Sequence, residues 1–184
     1  DRVILGFTGF VRDWHGADLI LDYLAARPGT PLHFLLIGDG PHLTTLKEKA
    51  LARDLTDRVT FTGVIQRADL PPYIAAFDIA LQPRVTAYAS PLKLFEYMAA
   101  GRAIAAPAQP NIREILADGV NALRFEPDHR AALYAVLDNL VASASLRETL
   151  GAAARRTIID RDLTWAGNAR KVTAIAESLL AARA

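Results

Sequence analysis

A chain of 184 residues with 52% hydrophobic content is long enough to bury one substantial core, and a single domain is the expectation. Twenty-one Lys and Arg against twenty Asp and Glu leave a formal charge of +1, which excludes a bulk electrostatic pull toward nucleic acid or a membrane surface. The chain has no cysteine, which excludes disulfides and thiol chemistry.

Val3 to Phe7 (VILGF) reads as a buried strand, followed by an amphipathic stretch from about Ala17 to Ala26. Leu32 to Ile37 (LHFLLI) is a second strand, closed by Gly38-Asp39-Gly40-Pro41 and followed by a charged helix to about Arg53. Arg58 to Phe61 is a third strand, Leu70 to Phe77 a helix, and Asp78 to Leu81 a fourth strand. Ser90 to Gly101 (SPLKLFEYMAAG) is expected to be a helix, with Ser90 as N-cap, Pro91 at the first helical position and Gly101 as the stop. Ala103 to Ala106 is a fifth strand, and a short helix from Ile112 to Leu116 leads through Asp118-Gly119 to a last strand at Leu123 to Phe125. From His129 the pattern is wholly helical, ending in a long helix from about Trp165 to Ala182.

Continuous apolar strands separated by helices predict a doubly wound, Rossmann-like α/β domain: a parallel sheet of about six strands, helices on both faces and a helical C-terminal tail. No run approaches the ~20 apolar residues of a membrane span. The chain opens on Asp1 without a Met or a signal peptide, so it is expected to be a piece of a longer protein; ordinary processing or tag removal is the alternative.

In such sheets ligands bind outside the carboxyl ends of the strands, so the loops there are where chemistry is expected. Gly9 and Gly16 let backbone approach a ligand, and Arg12 is a permanent cation beside them, or else a solvated loop residue. The helix start at Ser90-Pro91 offers unpaired N–H groups to an anion. Lys93 on its first turn opposes the helix dipole, which makes sense if a phosphate lies between. Glu96 can accept from a pair of hydroxyls; alternatively it simply pairs with Lys93 for ~0.2–0.5 kcal/mol. The four histidines show no metal-ligand spacing, and none is expected to hold a metal.

Taken in order, these pieces resemble the C-terminal, donor-binding domain of the retaining glycosyltransferases of family 4, which have the two-domain GT-B fold. The matching residues are Phe7-Thr8-Gly9 with His15-Gly16, IGDGP, RVTFTGVI, Leu70-Pro71-Pro72-Tyr73 to Asp78, SPLKLFEYMAAGRAIAA and ADGVNALRFEPD. The resemblance implies transfer of a sugar from a nucleotide diphosphate-sugar, with no metal or other cofactor. It implies an acceptor domain preceding this chain in the same protein, no nucleic-acid partner, and a cytoplasmic location. Any peripheral contact with the inner face of the membrane would come through that other domain.

The family's hallmark is two glutamates separated by seven residues. Glu96 matches the second, which holds the ribose hydroxyls, while the first falls on Tyr88. The usual Arg and Lys of the first loop, which contact the donor diphosphate, fall on Phe10 and His15. Either Arg12 and Lys93 supply the displaced charge, or donor binding and catalysis are weakened. By the same resemblance Gly38 belongs to the binding loops, the backbone at Ile65 reads the base, and Ala89, Ser90 and Pro91 line the sugar and phosphate pocket. Two other readings stay open: a different GT-B activity such as a nucleotide-sugar epimerase, and a degenerate, non-catalytic nucleotide-binding module. A phosphoacceptor signalling domain would need an acidic cluster after the first strand, where this chain has Thr8-Gly9.

Overall fold

β1 (Val3–Thr8) is apolar from Val3 to Phe7 because it lies at the centre of a sheet covered on both faces. The computed structural model describes residues 2–182. The other strands are β2 (Leu32–Ile37), β3 (Val59–Phe61), β4 (Ile79–Leu81), β5 (Ala103–Pro107) and β6 (Leu123–Phe125). All pairs are parallel, in the order β3-β2-β1-β4-β5-β6. This is the doubly wound order expected of a Rossmann-like sheet, and it reverses between β1 and β4.

Period-two alternation divides each strand between two cores. Leu5, Phe7, Ile79, Leu81, Ala103 and Ala105 point to one, against α1 (Ala17–Ala25), α2 (Leu43–Ala52) and α6 (Arg130–Ala142). Ala80, Ile104 and Ala106 point to the other, against α3 (Leu70–Ala75), α4 (Lys93–Ala99), α5 (Pro110–Arg113) and α7 (Ala144–Asp160). Asp78, read as strand, precedes β4 instead: its backbone N–H donates to the Ile4 carbonyl while its carboxylate accepts the Ile4 N–H at 2.7 Å.

One boundary differs in a way that bears on the site. The helix expected from Ser90 begins only at Lys93, with Leu92 at the cap and no side-chain cap bond. Ser90 is exposed and Pro91 is buried outside the helix. The reason is a tether from α5. Asn111 Nδ2 donates to the carbonyls of Thr86 and Ala89, holding Gln82–Pro91 as an irregular loop, and the Leu94 and Phe95 N–H groups turn back onto the Pro91 and Leu92 carbonyls. The other end is as expected. Gly101 is left-handed, and the bonds Gly101 N–H to Met98 O and Arg102 N–H to Tyr97 O close the helix.

α5 starts at Pro110 rather than Ile112, because Gln109 takes the extended conformation that proline imposes on its predecessor. The tail ends in α8 (Trp165–Ala181), capped by Thr164, in which Gly167 is the one buried residue. No helix among the described residues is long and apolar enough to cross a membrane.

Candidate functional site

The reversal of strand order leaves a crevice at the carboxyl end of β1, and a cleft of about 540 Å³ opens there. Its floor is backbone. The Gly9 N–H donates to Ile37 O at 2.9 Å, and Gly9 has φ +147°. A Cβ on Gly9 would lie 2.9 Å from Lys93 Nζ, and one on Gly38 (φ +126°) would run into the Gly9 carbonyl. Both glycines are therefore favoured by backbone conformation, and Gly38 is required by close approach as well. Val64 and Ile65 after β3, with Leu70 of α3, form an apolar wall; Leu92, Lys93 and Glu96 form the opposite one.

Lys93 is the unusual group. Its Nζ is buried without a hydrogen-bond partner among the described residues and sits 3.8 Å from the centroid of the Phe7 ring. Burial lowers its pKa to about 7, against the opposing pull of Glu96. A buried amine with no acceptor, on the wall of a cleft, can be satisfied by an anion from outside.

The structure brings together Gly9, Gly38, Ile65, Lys93 and Glu96 from the sequence-derived set. Others stand apart. The Arg12 guanidinium is held between two aromatic faces, 4.8 Å from the Phe10 centroid and 5.3 Å from that of Trp14; Phe10 lines the cleft and Arg12 does not. His15 and Gly16 lie outside the lining, with the side chain of Arg84 packed over Gly16. Tyr88 is 89% exposed on the Thr86–Ala89 turn, and Ala89, Ser90 and Pro91 also lie outside the lining.

His15 Nδ1 accepts the Arg12 N–H at 3.1 Å, and its ring lies 5.4 Å from that of Phe7. Burial, then the Lys93 and Arg12 charges, push its pKa down to about 4, so it is neutral at pH 7 and brings no cation to the loop. The unfolded chain binds this proton below pH 6.5 and the folded chain only near pH 4, so stability is lost as pH falls through that window. His15→Gln should remove about 1–2 kcal/mol of that loss, allowing for partial solvent access, as read by urea unfolding at pH 7 and pH 4.5.

The family model for glycosyl transferases group 1 matches residues 2–143. The chain belongs to this family.

This group 1 glycosyltransferase chain is similar to the alpha-monoglucosyldiacylglycerol synthase of Streptococcus pneumoniae, 29% identical over 62% of the chain and 25% of that protein. It is similar to the alpha-D-kanosaminyltransferase of Streptomyces kanamyceticus, 25% identical over 82% of the chain and 39% of that protein. The chain thus spans well under half the length of these relatives. Among solved structures it superposes on HepE of Anabaena in complex with UDP, with TM-score 0.84 and 20% identity, covering 96% of the chain and 49% of HepE. At that identity the likeness shows the fold.

Two features of this part of the glycosyltransferase chain escaped sequence reasoning. A second cavity of about 370 Å³ adjoins the first, shares Leu92 and Glu96 with it, and is also lined by Phe95 and Trp165. Glu96 therefore forms part of the wall of both spaces, which no local pattern signals. Tyr97, read only as core, bonds to the end of β1. Its spacing of four from Lys93 places both on one helical face and was the available sign.

Proposed function

We propose that this chain is the donor-binding domain of a retaining glycosyltransferase. It holds a nucleotide diphosphate-sugar in the switch-point cleft, and a further domain of the same protein supplies the acceptor site. The observation that carries the reading is Lys93: a buried, unpartnered cation beside the Gly9 backbone, one helical turn from a carboxylate on the same cleft wall. Glu96 accepts from the ribose hydroxyls, and the Val64–Ile65 side receives the base. Lys93 meets the diphosphate, and Arg12 adds charge from the rim without a metal ion. HepE, which has this fold, is crystallised with UDP.

In the transfer, the bond from the anomeric carbon to the phosphate oxygen breaks and its electron pair leaves with the nucleoside diphosphate. The acceptor oxygen bonds on the same face, and its proton passes to the departing phosphate. Lys93 lowers the barrier by stabilising the charge that develops on that phosphate.

Calorimetry on this chain with UDP, GDP and ADP is expected to show one of them binding with Kd of about 10 μM to 1 mM, unaffected by EDTA. The wild-type chain should prefer that nucleotide to its 2′-deoxy analogue about tenfold, and Glu96→Gln should erase the preference. No binding by any of the three at millimolar protein sinks the reading, and an intact preference in E96Q removes Glu96 from it.

A further inference from the structure

β1 and β4 are neighbours only as far as Gly6↔Ala80, while β1 continues alongside β2 to Thr8↔Ile37. β4 pairs with β5 along its whole length and stays with it beyond Leu81, where the Gln82 N–H donates to Ala105 O. The two central strands therefore splay apart under the cleft. Backbone groups of β1 alternate sides: Val3 and Gly9 donate toward the β2 side, to Pro31 O and Ile37 O, so Thr8 donates toward the missing β4.

Its N–H would be a buried orphan. Instead it donates to the hydroxyl of Tyr97 at 2.9 Å, and Thr8 Oγ1 shares a second contact with that hydroxyl at 3.2 Å. Tyr97 is fully buried, with its ring edge-on to Phe77 at 6.0 Å. It lies four residues after Lys93, so one face of α4 meets β1 at two points: Tyr97 at Thr8, and Lys93 at Phe7 and Gly9.

We propose that Tyr97 is a positioning residue for the phosphate end of the bound nucleotide. Its hydroxyl takes the place of the departed strand and sets the separation and rotation of α4 against β1, which aims Lys93 Nζ at the Gly9 backbone. The inference rests on the donor reading above and adds to it a residue that touches no ligand. Burial raises the Tyr97 pKa, so the hydroxyl stays neutral and keeps both contacts.

The test is calorimetry on the full chain with UDP against uridine, and with the guanine and adenine pairs in parallel. The wild type is expected to bind the diphosphate about a hundredfold more tightly than the nucleoside. Tyr97→Phe should cut this increment to about tenfold while changing nucleoside affinity less than twofold. Phe77→Leu, which loosens the same packing but keeps the hydroxyl, should lower the melting temperature and leave the increment unchanged. A merely structural role for Tyr97 would weaken diphosphate and nucleoside alike, and that result, or an intact increment, overturns the proposal. If Y97F does not fold, Thr8→Val decides, since it removes one contact and keeps every ring: a loss of about threefold in the increment supports the proposal and no loss overturns it. A wild-type chain that binds no nucleoside diphosphate overturns the donor reading itself, whereas binding with an unaffected Y97F overturns this inference alone.

Discussion

Lys93→Met weakens binding of the preferred nucleoside diphosphate about fiftyfold at pH 6.5 and removes the pH dependence of that binding. The loss corresponds to about 2 kcal/mol, the range of a charge-assisted contact to phosphate. The pH dependence follows from the burial that lowers the Lys93 pKa to about 7. A phosphate stabilises the charged amine, so above pH 7 binding must take up a proton, and wild-type affinity falls about tenfold between pH 7 and pH 8.5. Two titratable groups face the amine. His15 is neutral throughout this range, and Glu96 acts on Lys93 from the same helix.

Stability changes in the opposite sense. Between pH 7 and 10.5 the unfolded chain holds a proton that folded Lys93 has released, so wild-type stability rises with pH through that window. Below pH 7 the buried charge is carried in full, and K93M is expected to be more stable there by about 1–2 kcal/mol. Calorimetry across pH 6–9 and urea unfolding at pH 6.5 read the two effects separately. A variant that binds as well as the wild type, or that keeps the affinity slope above pH 7, removes Lys93 from the phosphate site.

Gly6→Ala destabilises the fold by about 3 kcal/mol, although alanine is the better strand residue by ~0.5–1 kcal/mol in conformational terms. The cause is steric. A Cβ at position 6 would fall within the ring of Phe77, which is fully buried on the second-core side of β1 and packs edge-on to Tyr97. The ring cannot retreat without moving Tyr97, and Tyr97 holds Thr8. Adding Phe77→Leu to G6A should recover more than half of the loss, because contacting residues do not add independently. Urea unfolding of the two single variants and the double variant measures this cycle. A G6A protein within 0.5 kcal/mol of the wild type, on the scale of neutral surface changes, would show that the sheet accommodates the methyl.

Much of the fold was legible in order because each strand is a short apolar block bounded by turn residues, a pattern with few competing readings. LHFLLI and the Ala103 run became β2 and β5 at nearly the expected bounds. The start of α4 was not legible. Ser-Pro is a strong local signal for a helix N-terminus, yet Asn111, more than twenty positions away in the chain, anchors the preceding loop and delays the helix to Lys93.

The candidate site divides in the same way. Lys93 and Glu96 could be chosen from sequence because charges inside an otherwise apolar helix are conspicuous, and Gly9 because a glycine after a parallel strand marks a loop where backbone approaches a ligand; Gly38 came from the family resemblance alone. The continuous apolar runs of the strands already required cover on both faces of the sheet. Only the tertiary structure decided which loop residues reach the cleft. Tyr88, Ala89, Ser90 and Pro91 follow β4 as expected, but their loop is tied to α5 and lies outside the lining. Only the tertiary structure, too, gave Tyr97 its place. Whether a buried tyrosine is ordinary core or a plug for a splayed sheet depends on where β4 leaves β1, and that is settled by pairing between strands more than seventy positions apart.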